Sequence, residues 1–298
     1  MDLDRVDMVT LTEDNIESEH ICCAFSSKKN VEGYQLKKAW LAERLVEGFV
    51  FRKFDVRGKV FIEYVPAEYA WRPIDAPGYT CIQCFWVAGR FKGHGLGARL
   101  LQSCIEDAQA QGKHGVVVVT GRRKKHWMTD KRFFEKYGFE VCDTAPRDFE
   151  LLVKRFDDNE DAPQPRFRES AKRATYEPVD AARRLVFLYT HQCPFTIHYV
   201  DEMMAAAEAR GIASEKIELT TREAVQNGPS PFGVFGVFYD GEFLTHELMT
   251  QNKFGKYLLN KLGSCGRSPD RATAGTVRRP ARASLPRFIE MILRQVIG

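Results

Sequence analysis

Three glycines, Gly93, Gly95 and Gly97, stand between an apolar strand pattern and a helical pattern. Glycine adopts positive φ angles and lets the backbone approach a ligand closely. The first amides of a helix have no intrahelical acceptor and carry a partial positive charge. The order of strand, glycine loop and helix therefore predicts a site for a phosphate or pyrophosphate, with an ordinary strand-to-helix turn as the alternative.

The cysteines do not indicate a disulfide or metal framework. Eight of them are scattered over 298 residues, at Cys22, Cys23, Cys81, Cys84, Cys104, Cys142, Cys193 and Cys265. This is too sparse for a disulfide scaffold. Cys81 and Cys84 have the spacing of a zinc-ligand pair, but no second pair follows, and residues three apart in a strand point to opposite faces. We expect buried free thiols and no metal site.

The charge of the chain is concentrated at its end. The net charge is +4, but residues 263–298 hold seven arginines against two acidic residues, and the rest of the chain holds 37 basic and 38 acidic residues. A near-neutral body does not favour nucleic-acid binding, and a short arginine-rich end is usually solvated. An adaptor that binds nucleic acid or a membrane surface through this end is the weakest of the functional hypotheses.

Neither a membrane span nor a signal peptide is predicted. No stretch approaches the ~20 apolar residues of a membrane-spanning helix. The acidic start of the chain lacks the basic and then apolar profile of a signal peptide. We therefore expect a cytoplasmic protein without a membrane partner.

Hydrophobic periodicity predicts the elements around the glycine loop. Strands are expected at residues 7–12, 49–56, 59–64, 80–87, 116–120, 139–142 and 149–153, and helices at 13–47 with a break near Ser26, at 98–111 and at 130–137. The four valines of 116–119 are typical of a strand covered on both faces. The aromatic, proline-rich loop 66–78 could line a pocket or pack on its own sheet.

A second set of elements follows a charged segment. Residues 157–182 contain three prolines and predict a linker. Strands are then expected at 185–189, 216–219, 233–239 and 242–244, and helices at 195–210, 221–226 and 251–262. The composition of 263–298 indicates a disordered basic tail, with a possible short amphipathic helix at 287–296. We expect an α/β protein with domains at 1–156 and 183–262.

Residues 1–156 resemble the GNAT superfamily of acyl-CoA N-acyltransferases. The resemblance rests on Lys92-Gly-His-Gly-Leu-Gly97, which is similar to the family's Arg/Gln-x-x-Gly-x-Gly/Ala loop, and on Phe133-Phe-Glu-Lys-Tyr-Gly-Phe139, which is similar to its later helix–Gly–Phe motif. Lys92 departs from the usual Arg or Gln. An alignment of the motif that starts at Arg90 also matches, with Gly93 and Gly95 as its glycines. We prefer the alignment that starts at Lys92, because it puts Gly97 at the start of the helix. The resemblance implies a mixed-sheet domain.

The resemblance also implies acetyl-CoA as co-substrate. Its pyrophosphate would be bound by the loop residues Lys92, Gly93, His94, Gly95, Leu96, Gly97 and Ala98. Its pantetheine arm would pair with the preceding strand, at Phe85, Trp86, Val87 and Ala88. The amide of Val87 would polarise the thioester carbonyl. This arrangement requires the strand at 116–120 to splay away and leave a slot.

In this family an amine attacks the thioester directly, and a general base takes a proton from it. The usual base positions correspond here to Gln83 and Cys81, and the tyrosine that often protonates the leaving thiolate corresponds to Phe134. Candidate bases elsewhere are Glu63 on the neighbouring strand and His126 in a basic loop. The alternatives are a water chain, positioning alone, which can contribute about 7–11 kcal/mol, a domain that binds acyl-CoA with little turnover, and Cys81 as a nucleophile.

Residues 183–262 resemble the YoaP-like, thioredoxin-like module that follows some GNAT domains. The resemblance rests on Tyr189-Thr-His-Gln-Cys-Pro-Phe-Thr196 and Gly228-Pro-Ser-Pro-Phe232. Cys193 precedes a helix, where amides and the helix dipole favour a thiolate. Thr196 replaces the second cysteine of a CxxC pair and leaves only monothiol exchange. The resemblance implies a cis peptide bond before Pro231.

Two functions follow from these resemblances. The leading hypothesis is an N-acetyltransferase that moves the acetyl group of acetyl-CoA to an amine of a small molecule or peptide. The alternative is a thiol-binding or redox-sensing protein that acts through Cys193 and binds CoA with little acyl transfer. A third reading of the second module keeps Cys193 inert and uses the fold for substrate binding or docking.

Overall fold

The computed structural model describes residues 5–21, 23–157, 159, 161–177 and 184–262. The strands are β1 Met8–Thr10, β2 Val50–Phe54, β3 Val60–Pro66, β4 Ile74–Asp75, β5 Tyr79–Val87, β6 Gly115–Gly121, β7 Glu140–Ala145, β8 Phe149–Arg155, β9 Arg166–Phe167, β10 Leu185–Tyr189, β11 Ser214–Glu218, β12 Phe235–Tyr239 and β13 Glu242–Thr245. The helices are α1 Val31–Leu45, α2 Leu96–Ala110, α3 Lys131–Glu135, α4 Glu169–Arg173, α5 Thr196–Glu208, α6 Arg222–Gln226 and α7 Gln251–Leu262. None of these helices is long and apolar enough to cross a membrane.

Seven strands form a mixed sheet in the order β1-β2-β3-β5-β6-β8-β7. Only β5 and β6 run parallel, and every other neighbouring pair in this sheet is antiparallel. The predicted hairpin of β2 and β3 is present, with Val50 opposite Tyr64. All seven residues of β6 are buried, as its valines predict. The predicted mixed α/β fold class is confirmed.

The two parallel strands separate partway along their length. Their pairing runs from Tyr79 opposite Gly115 to Ile82 opposite Val118 and then ends. Beyond this point β5 stays paired with β3 and β6 stays paired with β8, so each strand follows its own partner. The slot that the sequence analysis requires beside residues 85–88 is therefore present.

A second sheet contains four strands in the order β11-β10-β12-β13. Strand β10 is parallel to β11 and antiparallel to β12, and β12 is antiparallel to β13. Both sheets belong to one compact unit that extends to Leu258, and the last residues of α7 belong to a second unit. Helices α1 and α5 approach closely within the first unit, because a Cβ on Gly33 would lie 2.1 Å from the carbonyl oxygen of Pro194.

The helix predicted before Ser26 is wrong. Residues 13–18 form turns, residues 19–21 are irregular, and the first α-helix begins at Val31. Asn15 competes with helical hydrogen bonding, because its side chain accepts from the amide of Thr12 at 2.9 Å and donates to the carbonyl of Thr10 at 3.0 Å. The apolar residues of this segment, Leu11, Ile16 and Ile21, are buried without a helix.

Part of the segment predicted as a linker is ordered. Phe167 in β9 is fully buried and pairs with Ile74 in β4. Helix α4 follows, and Lys172 forms an ion pair with Asp143 at 3.0 Å. A linker is expected from charge and proline content, whereas this order depends on contacts with distant parts of the chain. The division into domains at 1–156 and 183–262 stays a prediction.

Two further expectations have different outcomes. The expected cis bond before Pro231 is wrong, since the described chain contains no cis peptide bond. The predicted tail at 263–298 and its amphipathic helix lie outside the described residues.

Candidate active site

The backbone of the glycine loop has positive φ angles, which glycine adopts more easily than any other residue. Gly93 and Gly95 have φ angles of +83° and +72°, and a Cβ on either would meet nothing within 4 Å. Gly95 is the N-cap of α2 and no side chain caps the helix. The amides of the first turn therefore have no acceptor from a capping side chain, which fits an anion such as a pyrophosphate. The helix begins at Leu96, so Gly97 lies in its first turn.

Gly97 connects the two motifs of the GNAT resemblance. A Cβ there would lie 3.3 Å from the ring of Phe133 and 3.4 Å from that of Phe85. The rings of Phe85 and Phe133 stack with centroids 4.8 Å apart. The later motif, which begins at Phe133, thus packs beneath the first turn of the loop helix and beside the slot.

A cavity opens where β5 and β6 separate. One wall comes from β5 and β6 and includes residues 82–86 and 118–119. The opposite wall comes from residues 192–195 and from Phe232, Val234 and Phe235. The space free of protein atoms, with its open mouth, is ≈ 1090 Å³. Phe134, which stands at the family's tyrosine position, lies in this wall and offers no hydroxyl. The hydroxyl of Thr129 reaches β5 and donates to the carbonyl of Phe85 at 2.6 Å.

Glu63 brings a carboxylate into the cavity. It lies on β3 opposite Cys84 and is 2% exposed. Lys37, also 2% exposed, reaches its two oxygens at 2.8 and 2.9 Å. This pair holds the carboxylate in place at the middle of β3, beside the cavity. Among the four candidates for proton transfer, Glu63 is the one carboxylate, and the structure brings it to the cavity.

Gln83 and Cys81 lie on one side of β5, as the strand geometry predicts. Gln83 lines the cavity, and its amide nitrogen contacts the sulfur of Cys81 at 3.1 Å. Cys81 lies beneath it and is fully buried. Burial raises the pKa of the Cys81 thiol to about 12. A nucleophilic role for Cys81 is therefore disfavoured, because the thiolate is the reactive form.

His126 is not brought to the cavity. Its side chain is exposed, and its backbone carbonyl lies 3.1 Å from Nε2 of His246. The residues that line the cavity do not include it. The basic loop that carries His126 instead contributes Trp127, Met128 and Thr129 to the wall.

Cys193 lies in the opposite wall, but its environment differs from the one expected. Burial raises its pKa to about 11, and the hydrogen bond from the Phe195 backbone amide opposes this only in part. The expected shift towards the thiolate is thus wrong, because desolvation outweighs the start of the helix. Burial also raises the pKa of Cys23 and Cys84, which line the same cavity. No group of described His, Cys, Asp and Glu side chains is arranged to hold a metal ion.

Sequence reasoning missed four polar residues of the cavity. Lys37, Lys59, Arg72 and Gln192 come from separate segments and line it together. Arg72 follows Trp71 in the aromatic loop 66–78, which the sequence analysis singled out as a possible pocket wall. No local signal identifies the other three, because their meeting depends on how the elements pack.

Two family models and a protein of known sequence are similar to this chain. Residues 40–141 match the model of the acetyltransferase (GNAT) domain, and residues 215–256 match the YoaP-like model. A protein of Bacillus subtilis (strain 168), named uncharacterized N-acetyltransferase YoaP, is 40% identical over 254 residues, which cover 85% of this chain and 98% of that protein.

Two solved structures are similar to parts of the chain. PaiA N-acetyltransferase from Thermoplasma acidophilum, in complex with coenzyme A, is 15% identical with a TM-score of 0.37 and covers 51% of this chain and 99% of its own. The GNAT family N-acetyltransferase YhbS from Escherichia coli, in complex with CoA, is 15% identical with a TM-score of 0.38 and covers 55% of this chain and 91% of its own.

Proposed function

From the premise that this chain belongs to the GNAT family of N-acetyltransferases, as a relative of YoaP, we propose that it acetylates the amine of a small molecule with acetyl-CoA. The observation that carries this proposal is the separation of β5 from β6 beside a cavity that holds the Glu63 carboxylate. Where the strands part, β6 no longer pairs with the backbone of β5, so an extended ligand can reach β5 beyond the Phe85 carbonyl, which accepts from Thr129. The Glu63 carboxylate can accept a proton at the same place.

The residues around the loop fit a CoA molecule. The loop from Lys92 to Ala98 combines positive-φ glycines with the unpaired amides of a 15-residue helix, which suits a pyrophosphate. The edge of β5 from Phe85 to Ala88 lies beside the slot and suits the amide groups of the pantetheine arm. We assign the polarisation of the thioester carbonyl to the amide of Val87.

The reaction is a direct transfer. The ammonium group of the acceptor gives one proton to Glu63, and the free amine then attacks the thioester carbon. The C–N bond forms and the C–S bond breaks, and the leaving CoA thiolate takes the second amine proton. Lys37 keeps the Glu63 carboxylate in position through both of its oxygens.

The second sheet supports a small acceptor. Gln192, Cys193, Phe195 and Phe232 form a wall opposite β5, so the acceptor side of the cavity is bounded by the chain's own residues. A protein substrate would need an open groove there. The strand order β11-β10-β12-β13 supports a thioredoxin-like fold for this part, and we assign it the role of shaping the acceptor site in a cytoplasmic enzyme.

The test of the CoA site compares two glycines at opposite ends of α2. Gly95→Asp should raise the Kd for acetyl-CoA at least 10-fold, measured by calorimetry, because it places a carboxylate where the pyrophosphate binds. Gly112→Asp is the matched control, since Gly112 also has a positive φ of +64° and open space at its Cβ. Equal binding by both variants would refute the proposed site.

The test of the base uses Glu63→Gln. General-base catalysis is worth about 10²–10⁴-fold, so kcat for CoA release with an accepted amine should fall by that factor while the Kd for acetyl-CoA is unchanged. Glu106→Gln, on the exposed side of α2, is the control. An unchanged kcat in Glu63→Gln would remove Glu63 from the mechanism.

A further inference from the structure

We propose that the acceptor amine also carries a carboxylate, and that the guanidinium of Arg72 binds it. This inference rests on the proposed acetyl transfer and specifies its substrate class: amino acids or closely related amino carboxylates. Arg72 lies in the cavity wall and is 4% exposed. It comes from the loop after β3, the strand that also carries Glu63.

Arg72 has no counter-ion in the part of the chain that the structure describes. Among the described residues, no carboxylate lies within ion-pair distance of it, and Glu63, the acidic residue of the cavity wall, is paired with Lys37. A buried charge without a partner is costly and is normally paired. A carboxylate on a bound substrate would supply the missing charge.

The guanidinium is held in place by neutral groups. Nη1 donates to the carbonyl of Trp71 and to Oε1 of Gln192, both at 2.8 Å, and Nη2 donates to the carbonyl of Gln83. These three bonds use three of its five N–H groups. The remaining two suit a carboxylate, which arginine binds with its planar fork of donors.

The other charged residues of the cavity also favour an acceptor with a negative charge. Lys59 also lines it without a described carboxylate in ion-pair distance, and its ammonium lies 5.2 Å from the ring of Phe195. Lys37 and Glu63 neutralise each other, so the wall carries two uncompensated positive charges. The acetyl end of acetyl-CoA is neutral, whereas its phosphates belong at the glycine loop. The negative charge must therefore come from the acceptor.

The arrangement also orients a zwitterionic acceptor. Glu63 offers a proton acceptor for the ammonium and Arg72 a positive group for the carboxylate, and both line the same cavity. Gln192 joins the two walls, because it accepts from Arg72 at 2.8 Å and donates to Oε1 of Gln83 at 3.2 Å. Through Gln192, the loop after β10 sets the position of the carboxylate-binding group.

The experiment compares amines that differ only in this charge. L-Phenylalanine, L-methionine and β-alanine are each paired with the corresponding carboxamide, and CoA release is measured with full-length protein. Hydrogen bonds to charged groups contribute about 1.5–3 kcal/mol. We therefore expect kcat/KM to be at least 10-fold higher for the acid than for the amide in at least one pair, mainly through KM.

Variants of Arg72 then identify the group responsible. Arg72→Gln should bring the acid-to-amide ratio close to one, because kcat/KM falls much more for the acid than for the amide. Arg72→Lys keeps the charge and should retain part of the preference, which protects the test against a misfolded glutamine variant. Arg173→Gln, on the exposed end of α4, is the control for lost charge.

The outcomes separate this inference from the function on which it rests. If the protein binds acetyl-CoA but acetylates no acid, or acetylates the amides as well as the acids, the inference is overturned. A preference for acids that survives in folded Arg72→Gln also overturns it. If acetyl-CoA does not bind and no amine is acetylated, the proposed function itself fails.

Discussion

Removing the Lys37 ammonium should destabilise the protein strongly. Lys37 and Glu63 are both 2% exposed, and the two N···O distances between them are 2.8 and 2.9 Å. The ammonium also lies 4.5 Å from the ring of Trp40. Lys37→Met fills a similar volume but leaves the Glu63 carboxylate buried without its partner.

The expected cost follows from this burial. Breaking one side of a buried ion pair costs about 3–5 kcal/mol, because the remaining charge is uncompensated. In a unit of this size 1 kcal/mol shifts Tm by about 2–4 °C, so Tm should fall by roughly 6–20 °C. Replacing both groups with apolar ones of similar volume is often close to neutral. The double variant Lys37→Met/Glu63→Leu should therefore recover most of the loss.

Urea unfolding followed by tryptophan fluorescence measures both variants. A loss below about 1 kcal/mol in Lys37→Met would show that the carboxylate is well solvated and that the pair does not behave as a buried one. A double variant as unstable as the single one would show that the loss comes from packing around Trp40 instead.

Two further predictions concern titration. Burial lowers the pKa of His246 to about 3. Between about pH 6.5 and pH 3 the unfolded chain therefore binds a proton at this residue that the folded protein does not bind. The free energy of unfolding should fall by about 1.4 kcal/mol for each pH unit over this range. His246→Gln should make the acid side of a stability–pH curve shallower, and an unchanged slope would contradict this. Because burial raises the pKa of Cys193 to about 11, iodoacetamide should alkylate it more slowly at pH 7.5 than the same thiol in urea, with a rate that rises as the pH approaches 11. Peptide mass mapping with Cys193→Ser as control measures this, and fast labelling of the folded protein would favour the thiol-centred function.

Much of the fold follows from local patterns. The strands β5, β6 and β10 and the helices α2 and α7 lie where periodicity predicts them. Residues 13–21 do not form their predicted helix, because a side chain such as Asn15 can satisfy backbone groups in a turn as well. Buried apolar residues in an irregular segment look like a helix face when only the sequence is read.

The catalytic half of the site was harder to predict. Glu63 was one of four candidate residues for proton transfer, and no sequence feature separated it from His126. Only the tertiary packing brings Glu63 into an ion pair with Lys37 at the cavity and leaves the side chain of His126 exposed. The thiol of Cys193 shows the same limit, because the helix start is a local feature whereas its desolvation depends on the residues around the cavity.

The sequence by itself determined the glycine loop, the helix that follows it and the aromatic motif at Phe133. These depend on φ angles, periodicity and residue spacing, which are properties of neighbouring residues. The tertiary structure decided where β5 leaves β6, which carboxylate enters the cavity, and that Arg72 meets Gln192 from the loop after β10. The physical reason is that burial and pairing of charges depend on residues far apart in the chain, which meet only when both sheets have packed.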